Sequence, residues 1–432
     1  MNLANQKVAV IGLGQTGQSV VDFLLRQKAQ ILAFDTRPQW QVSLPESVSV
    51  QLGDLSQQLL AEVDLIVLSP GVALATPAIQ YALQQGVEVI GDVELFARFN
   101  NTPVLAITGS NGKTTVTSLL AEMLKISGFN VAVGGNIGVP ALSLLQQQAD
   151  FVVLELSSFQ LETTSSLMPL AATVLNVTDD HMDRYRDFAH YQQTKLAIYH
   201  QAQHCVVNRD DTHTFSEQDE VQHSFGLAAS DQGFSFDDVS GDILFNGQPW
   251  LNMQDCQLSG QHNVLNIQAA AALALCAGAD QQKIIQAAKS FSGLPHRCQV
   301  VGHQLGAIWI NDSKATNSGA TIAAINGLRP QAKGKMILLA GGDAKGSSLI
   351  ELKPILTQLD GLITYGKDGE KIAVLREDSI RVADLSAAVT QVAKMVTAND
   401  MVLLSPACAS LDMYRNYMHR GEHFAQLVEA LV

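Results

Sequence analysis

The chain of 432 residues is too long for one compact core, so we expect two or three domains. Hydrophobic residues make up 47% of the chain and charged residues 16%, a globular balance that excludes general disorder. A formal net charge of −14 argues against a broad nucleic-acid surface, although it leaves room for a local basic pocket that binds nucleotide phosphates.

Cysteine spacing and apolar stretches indicate a cytoplasmic protein without membrane insertion. The five cysteines are scattered and have neither zinc nor redox spacing, so we expect reduced thiols. The start, "MNLANQKVAVIGLG", lacks the basic segment and cleavage site of a signal peptide. The longest apolar stretch, residues 269–279, is too short to span a bilayer.

Short apolar runs that do not alternate with polar residues predict buried parallel strands, since helices cover both faces of such sheets. Examples are "KVAVIGLG", "PVLAITG", "FVVLELS", "KMILLAGG" and "MVLLSP". Helical patterns such as "TTVTSLLAEMLKISG" separate them, which predicts an α/β fold. Breaks in the pattern predict three domains, 1–91, 92–293 and 294–432, the central one with a β-rich insertion.

The first motif in the chain is "IGLGQTG", which places Gly12, Gly14 and Gly17 directly after the first strand. Asp35 closes the second strand, as the acidic residue does in dinucleotide-binding folds. The pattern predicts a site for a nucleotide diphosphate and does not specify NAD. A nicotinamide-dependent dehydrogenase is therefore one alternative.

A second glycine-rich turn, "GSNGKTT", follows a strand and opens a helix. It lacks the first glycine of the standard phosphate loop, because Ile107 stands there. Lys113 is suited to β- and γ-phosphate charge and the Thr114 hydroxyl to magnesium. An ordinary strand–turn–helix with a capping threonine is the alternative.

Polar residues follow several later strands of the central block. Glu155 ends one apolar strand, and a cluster that includes Asp180 and His181 follows the next. Ligands in α/β sheets bind beyond the carboxyl ends of strands, so this cluster favours a site over solvated loop groups. The spacing around Lys195 indicates only an exposed lysine on a helix.

The third block has polar clusters of the same kind. "WINDSKATN" and "LLAGGDAKGS" supply Asp312, Lys314, Thr316, Asp343 and Lys345, which suit a charged amino acid or a nucleotide. "SPACASLDMY" adds hydroxyl groups after the strand "MVLL", and a loop–helix junction with serine caps is its alternative.

Taken in order, these motifs resemble the Mur ligase family of cell-wall enzymes, and the resemblance covers essentially the whole chain. It rests on the segments "TGSNGKTT", "ELSSFQLETT", "NVTDDHMDRY", "LSGQHNVLN", "GLPHR", "NDSKATN", "GGDAKG" and "SPACASLD". The phosphate loop of this family is T-G-x-x-G-K-[ST], which accounts for the missing glycine. Within the family, "IGLGQTGQS", "FDTR" and "LSPGVA" are most similar to the D-glutamate-adding branch.

The resemblance implies a function for each domain. A Rossmann-like N-terminal domain would bind the UDP end of UDP-N-acetylmuramoyl-L-alanine (UDP-MurNAc-L-Ala). A central domain of the P-loop type, with a mostly parallel sheet, would bind ATP with two Mg²⁺ ions, and a Rossmann-like C-terminal domain would bind D-glutamate. The substrate carboxylate would attack ATP to give an acyl phosphate, which the D-glutamate amine would attack in turn. We expect a monomer that closes its domains on these partners.

Residue roles follow from the same resemblance. The implied contacts to the UDP substrate are Thr16, Asp35, Thr36, Arg37, Ser69, Gly71 and Asn136. The implied ATP contacts are Gly109, Ser110, Asn111, Gly112, Lys113, Thr114, Thr115, Asn263, Asn266, Arg297 and Asp312. The implied D-glutamate contacts are Lys314, Thr316, Lys345, Ser410, Leu411 and Tyr417, the last in place of the family's phenylalanine.

The resemblance also implies the catalytic and metal-binding groups. The catalytic set is Lys113, Glu155, His181 and Lys195, and the metal ligands are Thr114, Glu155, His181 and Lys195. Lys195 would serve as a ligand after CO₂ converts it to a carbamate. A folylpolyglutamate synthetase shares the ATP motifs but should lack the first nucleotide-binding block, and a non-catalytic nucleotide-binding regulator is a third alternative.

Overall fold

The computed structural model describes residues 1–215, 223–258 and 260–431. They form three α/β domains in succession, each built on its own sheet, which confirms the predicted fold class. β5 of the first sheet ends at Gly91, but the predicted boundaries of the domains stay predictions. Within the described ranges, no helix has both the length and the apolar character needed to cross a membrane.

The N-terminal domain is a Rossmann-like parallel sheet in the order β3-β2-β1-β4-β5. Its strands are β1 (Lys7–Ile11), β2 (Gln30–Asp35), β3 (Ser49–Leu52), β4 (Leu65–Leu68) and β5 (Glu88–Gly91). Its helices are α1 (Gln15–Arg26), α2 (Gln57–Ala61), α3 (Pro77–Gln84) and α4 (Asp92–Ala97). Because helices cover both faces, β4 is buried along its whole length, as the apolar run predicted.

The central domain is a parallel sheet in the order β11-β10-β9-β6-β8-β7. Its strands are β6 (Val104–Thr108), β7 (Val131–Gly135), β8 (Phe151–Glu155), β9 (Ala171–Val174), β10 (His204–Asn208) and β11 (His223–Phe225). Its helices are α5 (Lys113–Ile126), α6 (Ala141–Leu144), α7 (Ser158–Leu161), α8 (Phe188–Leu196), α9 (Gln261–Cys276) and α10 (Gln281–Ser290). The predicted β-rich insertion is the antiparallel meander of β12 (Phe234–Asp237), β13 (Asp242–Phe245) and β14 (Gln248–Asn252).

The C-terminal domain has the sheet order β15-β16-β20-β17-β18-β19 and is parallel except for β15. Its strands are β15 (Gln299–Gly302), β16 (Ile308–Asn311), β17 (Met336–Gly341), β18 (Gly361–Tyr365), β19 (Ile380–Arg381) and β20 (Met401–Leu404). Its helices are α11 (Ser318–Leu328), α12 (Lys353–Leu356), α13 (Gly369–Ala373), α14 (Leu385–Ala393) and α15 (Tyr417–Glu429).

The first two domains share one continuous apolar core. Val93, Leu95 and Phe96 of α4 are fully buried in it, beside residues of both sheets. The Glu94 carboxylate on the same helix accepts hydrogen bonds from the backbone amides of Ser165 and Ser166. This buried, polar-anchored helix fixes the N-terminal domain against the central one.

The carboxyl ends of β6, β8 and β9 lie at one edge of the central sheet because these strands are parallel neighbours. The loops that leave this edge carry the glycine-rich turn, Glu155 and the residues around His181. The C-terminal domain packs over this edge. The edge of the central sheet therefore forms the floor of the candidate site.

Candidate active site

The glycine-rich turn links β6 to α5, and its glycines adopt backbone conformations that other residues avoid. Gly109 has φ of +148° and Gly112 has φ of +86°. A Cβ atom on Gly112 would lie 2.5 Å from Oδ1 of Asn266 on α9. The turn therefore needs glycine both for its backbone and for the approach of α9.

Lys113 begins α5, so its ammonium group lies where the helix N-terminus favours anions. Its Nζ donates to the carbonyl oxygens of Gly109 and Ser110 at 2.7 and 2.9 Å. The side chain is thus folded back over the turn. The turn has the positive φ angles that its glycines predict, and phosphate binding there stays a prediction.

Two polar oxygens at the turn are buried and lack a hydrogen-bond partner among the described residues: the Thr114 hydroxyl and Oε2 of Glu155. The other carboxylate oxygen of Glu155, Oε1, accepts a hydrogen bond from the Asn136 amide at 2.8 Å. Buried oxygens of this kind are costly unless a ligand satisfies them. A hydroxyl and a carboxylate suit Mg²⁺, so the residues present fit that ion.

His181 follows β9 in a left-handed conformation, with φ of +58°. Burial lowers the pKa of its imidazole to about 4, and the nearby Asp180 carboxylate only partly opposes this shift. The ring is therefore neutral at physiological pH, which is the form that binds metal ions. It packs edge-on against Phe159, with ring centroids 4.8 Å apart.

Lys195 is not the exposed helix lysine that its spacing indicated. Only 2% of the residue is accessible, and its Nζ donates to the Gly109 carbonyl at 3.0 Å. The Nζ atom also lies 4.6 Å from the centroid of the Tyr191 ring. Burial, followed by the positive charge of Lys113, holds the pKa of Lys195 well below its usual value.

These groups line one cavity of about 480 Å³ between the central and C-terminal domains. Many of the predicted contacts share it: Ser110, Asn111, Gly112, Lys113, Thr114, Thr115, Asn136, Glu155, His181, Lys195, Asn263, Asn266, Arg297, Asp312, Lys314 and Thr316. Gly109 adjoins it through the carbonyl that contacts both lysines. The tertiary fold thus brings the implied ATP, metal and part of the D-glutamate residues together.

Three of the implied nucleotide contacts are held by neighbouring polar groups. Asp312 accepts a hydrogen bond from the Ser405 hydroxyl at 2.8 Å, and burial raises the pKa of its carboxyl to about 6. The Asn266 amide donates to Oδ1 of Asn263 at 3.1 Å. These contacts keep the side chains in place along one wall.

The lining of the cavity does not include the remaining implied D-glutamate residues, Lys345, Ser410, Leu411 and Tyr417. The Lys314 ammonium stands 4.1 Å from the centroid of the Tyr417 ring, and burial lowers the pKa of Lys314 to about 8. Lys345 forms an ion pair with Asp180. Ser410 is buried, whereas Leu411 is 70% exposed.

Apart from Asn136, the implied UDP contacts lie on the N-terminal domain and do not line the 480 Å³ cavity. Thr16 lies on α1 and Thr36 follows β2, while Ser69 and Gly71 follow β4. The buried Asp35 carboxylate accepts hydrogen bonds from the Leu13 amide at 2.7 Å and from the Arg37 guanidinium at 2.6 and 2.7 Å. Burial alone would raise the pKa of Asp35, but these hydrogen bonds outweigh it and lower the pKa to about 2.

Sequence reasoning missed residues that act across the domain interface. The Asn317 amide donates to Oδ1 of Asn111 at 3.1 Å and to Oδ2 of Asp180 at 3.2 Å. Asn317 stands in "NDSKATN", where it was not assigned a role, and Asp180 had been noted only as part of a cluster. Arg420, fully buried, donates to the carbonyls of Ser313 and Cys408, and no sequence pattern indicated this.

Comparison with protein families gives three successive matches. They are "Mur ligase MurD-like, N-terminal domain" over residues 6–91, "Mur ligase middle domain" over residues 107–274, and "Mur ligase, glutamate ligase domain" over residues 296–408.

Curated relatives match along nearly the whole chain. The chain is 48% identical to the UDP-N-acetylmuramoylalanine–D-glutamate ligase of Shewanella oneidensis, over 98% of each chain. It is 49% identical to the protein of the same name from Yersinia pseudotuberculosis, over 99% of this chain and 98% of the relative.

Solved structures share the fold at low identity. The UDP-N-acetylmuramate–alanine ligase MurC from Thermotoga maritima matches with a TM-score of 0.62 and 17% identity, over 99% of this chain and all of that one. MurF ligase from Thermotoga maritima, solved in complex with ADP, matches with a TM-score of 0.60 and 18% identity, over 99% of this chain and 96% of that one.

Proposed function

Because this chain belongs to the Mur ligase family, we propose that it joins D-glutamate to UDP-MurNAc-L-Ala at the expense of ATP. The products would be ADP, phosphate and a UDP-linked precursor of peptidoglycan. Relatives named UDP-N-acetylmuramoylalanine–D-glutamate ligase, nearly half identical over almost the full length of both chains, support this choice over a dehydrogenase or a folylpolyglutamate synthetase. The structural observation that carries it is the single cavity where the phosphate loop, Glu155 and Lys314 meet.

The first step is phosphoryl transfer. The carboxylate of the L-alanyl group attacks the γ-phosphorus of ATP, the bond to the β-phosphate oxygen breaks, and an acyl phosphate and ADP result. The positive charge of Lys113 reduces the repulsion between the attacking carboxylate and the γ-phosphate. The N-terminal end of α5 orients the phosphate oxygens. Positioning and electrostatics of these groups carry most of the rate enhancement.

The residues that we propose as metal ligands have either a buried oxygen without a hydrogen-bond partner or a neutral imidazole nitrogen. Thr114 and Glu155 would hold one Mg²⁺ ion through their buried oxygens, and His181 would hold a second through its neutral imidazole. When bound, these ions would supply positive charge beside the phosphates. Asn136 keeps the Glu155 carboxylate in orientation through its hydrogen bond to Oε1.

We also propose that Lys195 reacts with CO₂ to form a carbamate. The neutral amine forms a bond to the carbon of CO₂ and loses a proton, so a buried cation becomes an anion. Burial and the charge of Lys113 supply the neutral amine that this reaction needs. The carbamate would replace the present contact with the Gly109 carbonyl and face the metal site.

In the second step the D-glutamate amine attacks the carbonyl carbon of the acyl phosphate, and phosphate leaves. Lys314, Thr316 and Lys345 would hold the carboxylates of the amino acid. The aromatic ring of Tyr417 lies against the Lys314 ammonium. A phenylalanine, which the family has at this position, could make the same ring contact, so the hydroxyl of Tyr417 does not remove it.

The UDP moiety would lie on the N-terminal domain, with the muramoyl arm extending toward the cavity. Gln15 at the start of α1 donates to the Gly138 carbonyl of the central domain at 3.4 Å, which connects the two surfaces. Asn136, two residues from Gly138, lines the cavity itself. The Asp35 carboxylate accepts hydrogen bonds from the Leu13 amide and from Arg37. Asp35 therefore positions the loop that follows β2, in which Arg37 lies.

The test is release of phosphate from ATP by the purified protein with UDP-MurNAc-L-Ala and either D- or L-glutamate. Release should depend on both substrates and should be much faster with D-glutamate. Lys113→Ala should lower the rate on the order of 10²-fold or more, whereas Lys125→Ala, at the exposed far end of α5, should leave it unchanged. Equal release with both enantiomers, or an absorbance change with NADH instead, would overturn the assignment.

We further propose that the protein works as a monomer in the cytoplasm. Light scattering during size-exclusion chromatography tests the first point, since a monomer has a mass of 46.4 kDa.

A further inference from the structure

We infer that His204, His223 and Cys276 form a second metal site, for Zn²⁺ or a similar thiophilic ion, outside the lining of the catalytic cavity. A nitrogen from each histidine and the cysteine sulfur lie within 4.8 Å of one another. Neither the proposed reaction nor any motif discussed above uses these residues. We call them the His204 cluster.

The fold itself brings the three side chains together. His204 begins β10 and His223 begins β11, and the parallel pairing sets Val206 opposite His223. Side chains alternate along a strand, so His204, two residues before Val206, shares the face of His223. The two rings lie 5.3 Å apart between centroids. Cys276 is the last residue of α9, and residues of this helix pack with Val206 in one core cluster.

The ligand set selects the ion. Two imidazoles and a thiolate are typical of zinc and related thiophilic ions, whereas Mg²⁺ prefers oxygen ligands. In a tetrahedral zinc site the bonds of roughly 2.0–2.3 Å place ligand atoms about 3.3–3.8 Å apart. Ligand atoms already within 4.8 Å need to move by only about 1 Å, which side-chain rotation supplies. The fourth position would hold water, because His223 is exposed.

The surroundings favour a bound cation in two ways. Cys276 ends a helix of 16 residues, where the partial negative charge of the helix C-terminus favours positive charge. Burial, and then the neighbouring His204, lower the pKa of His223, which favours the neutral ring that binds metal ions. Binding would convert the Cys276 thiol to a thiolate and release one proton to solvent.

Such an ion would connect the C-terminal end of α9 to β10 and β11. The N-terminal end of the same helix carries Asn263 and Asn266, which line the catalytic cavity. Ten residues, about 15 Å of helix, separate Cys276 from Asn266, so the ion would act on the rigidity of α9 and not directly on the reacting groups. We therefore expect stability to respond to zinc more than turnover does.

The experiment titrates the full-length, reduced, metal-free protein with Zn²⁺ against a chromophoric zinc indicator. The wild type should bind one more zinc ion than His223→Asn or Cys276→Ser, whose affinity at this site should fall about 100-fold or more, beyond the loss that a supporting group causes. His303→Asn and Cys256→Ser, an exposed histidine and a half-buried cysteine elsewhere, are the matched controls. Zinc bound at the catalytic residues is common to all variants and cancels in the comparison.

Cobalt gives an independent signal, since a thiolate ligand produces a charge-transfer absorption that nitrogen and oxygen ligands do not. This band should appear in the wild type and in Cys256→Ser and be absent from Cys276→Ser. Zinc should also raise the unfolding temperature of the wild type by more than it raises that of His223→Asn. Equal zinc stoichiometry and affinity in wild type and both cluster variants would overturn the inference, whether or not the ligase activity is found.

Discussion

Lys195 shows how strongly a residue's role depends on its surroundings. On a helix whose sequence has little amphipathic character, it had no feature that distinguished it from a surface lysine. In the structure it is buried beside Lys113 and the Gly109 carbonyl, where a protonated amine is disfavoured. Because Lys195 is buried at the site and is the residue proposed to form the carbamate, its substitution is the most direct test of the proposed mechanism.

Lys195→Ala should lose nearly all ligase activity, because the metal-binding residues would lack the anion that the carbamate supplies. Acetate or another short carboxylate should restore part of the activity by occupying the vacated space. The assay is ATP-dependent phosphate release with and without added acetate. Lys125→Ala, which removes an exposed lysine, is the control and should be unaffected by acetate.

The activity of the wild type should also fall as pH decreases and when CO₂ is removed from the buffer. Both changes act on the same reaction, since only the neutral amine reacts with CO₂. Normal turnover in Lys195→Ala, with no response of the wild type to bicarbonate, would contradict the proposed carbamate.

Asp35 gives a prediction about stability and pH. Its pKa falls from the ordinary value of 3.8 to about 2 in the folded protein, so its carboxylate stabilises the fold above about pH 4. That contribution, about 2 kcal/mol, is lost as pH falls through the folded-state value. Asp35→Asn should therefore lower the urea midpoint of the N-terminal domain at neutral pH, with a difference from wild type that shrinks toward about pH 2.

The control for this measurement is Asp54→Asn, which changes an exposed carboxylate of the same domain. It should leave the midpoint nearly unchanged at each pH. A midpoint difference between wild type and Asp35→Asn that stays constant with pH would show that the Arg37–Asp35 pair does not stabilise the domain.

At the scale of single elements, the start of α5 depends on how closely α9 approaches it. Gly112 and Gly86 share a φ of +86°, but only Gly112 has a neighbour at the position of a Cβ atom. That neighbour is Oδ1 of Asn266, a proposed ATP contact, at 2.5 Å. Comparing alanine substitutions at the two glycines therefore distinguishes the effect of backbone strain from the effect of contact with Asn266.

Gly112→Ala should raise the KM for ATP by about five- to tenfold, because the new methyl group displaces Asn266 and a lost polar contact costs about 1–1.5 kcal/mol. Gly86→Ala carries the same backbone strain, about 1–2 kcal/mol, without touching a site residue. Steady-state kinetics and thermal unfolding of both variants provide the comparison. Equal KM values would mean that Asn266 does not contact the nucleotide.

At the scale of the whole molecule, the position of the C-terminal domain depends on a small polar interface. Asp180 of the central domain pairs with Lys345 and accepts a hydrogen bond from Asn317, which also reaches Asn111 of the phosphate loop. Lys345 and Asp180 are both largely buried, so loss of either charge leaves the other without a partner. This interface connects the proposed D-glutamate residues to the ATP site.

Asp180→Asn should loosen the contact between these two domains. We expect a larger radius of gyration in small-angle X-ray scattering, and amide exchange in the loop at 343–348 that is faster by about tenfold or more. Asp238→Asn, at an exposed position of the β-rich insertion, is the control. Scattering and exchange that match the wild type would show that other contacts hold the domain in place.

The local sequence by itself determined the strands and the phosphate loop. Apolar runs such as "PVLAITG" can be buried only between layers of helices, so they predict parallel strands without knowledge of their neighbours. The turn "GSNGKTT" likewise specifies its own conformation, because glycine is needed wherever φ is positive, as at Gly109 and Gly112. The family resemblance then supplied the roles that no local pattern could give.

Only the tertiary structure decided which side chains meet and which become buried. Lys195 and Gly109 are 86 residues apart in the chain, and Asp180 and Lys345 are 165 apart. The cluster of His204, His223 and Cys276 arises from strand register and the end of a helix, which no spacing in the sequence encodes. Burial and electrostatic fields are sums over such distant neighbours, so pKa values and metal-binding geometry emerge only once the chain has folded.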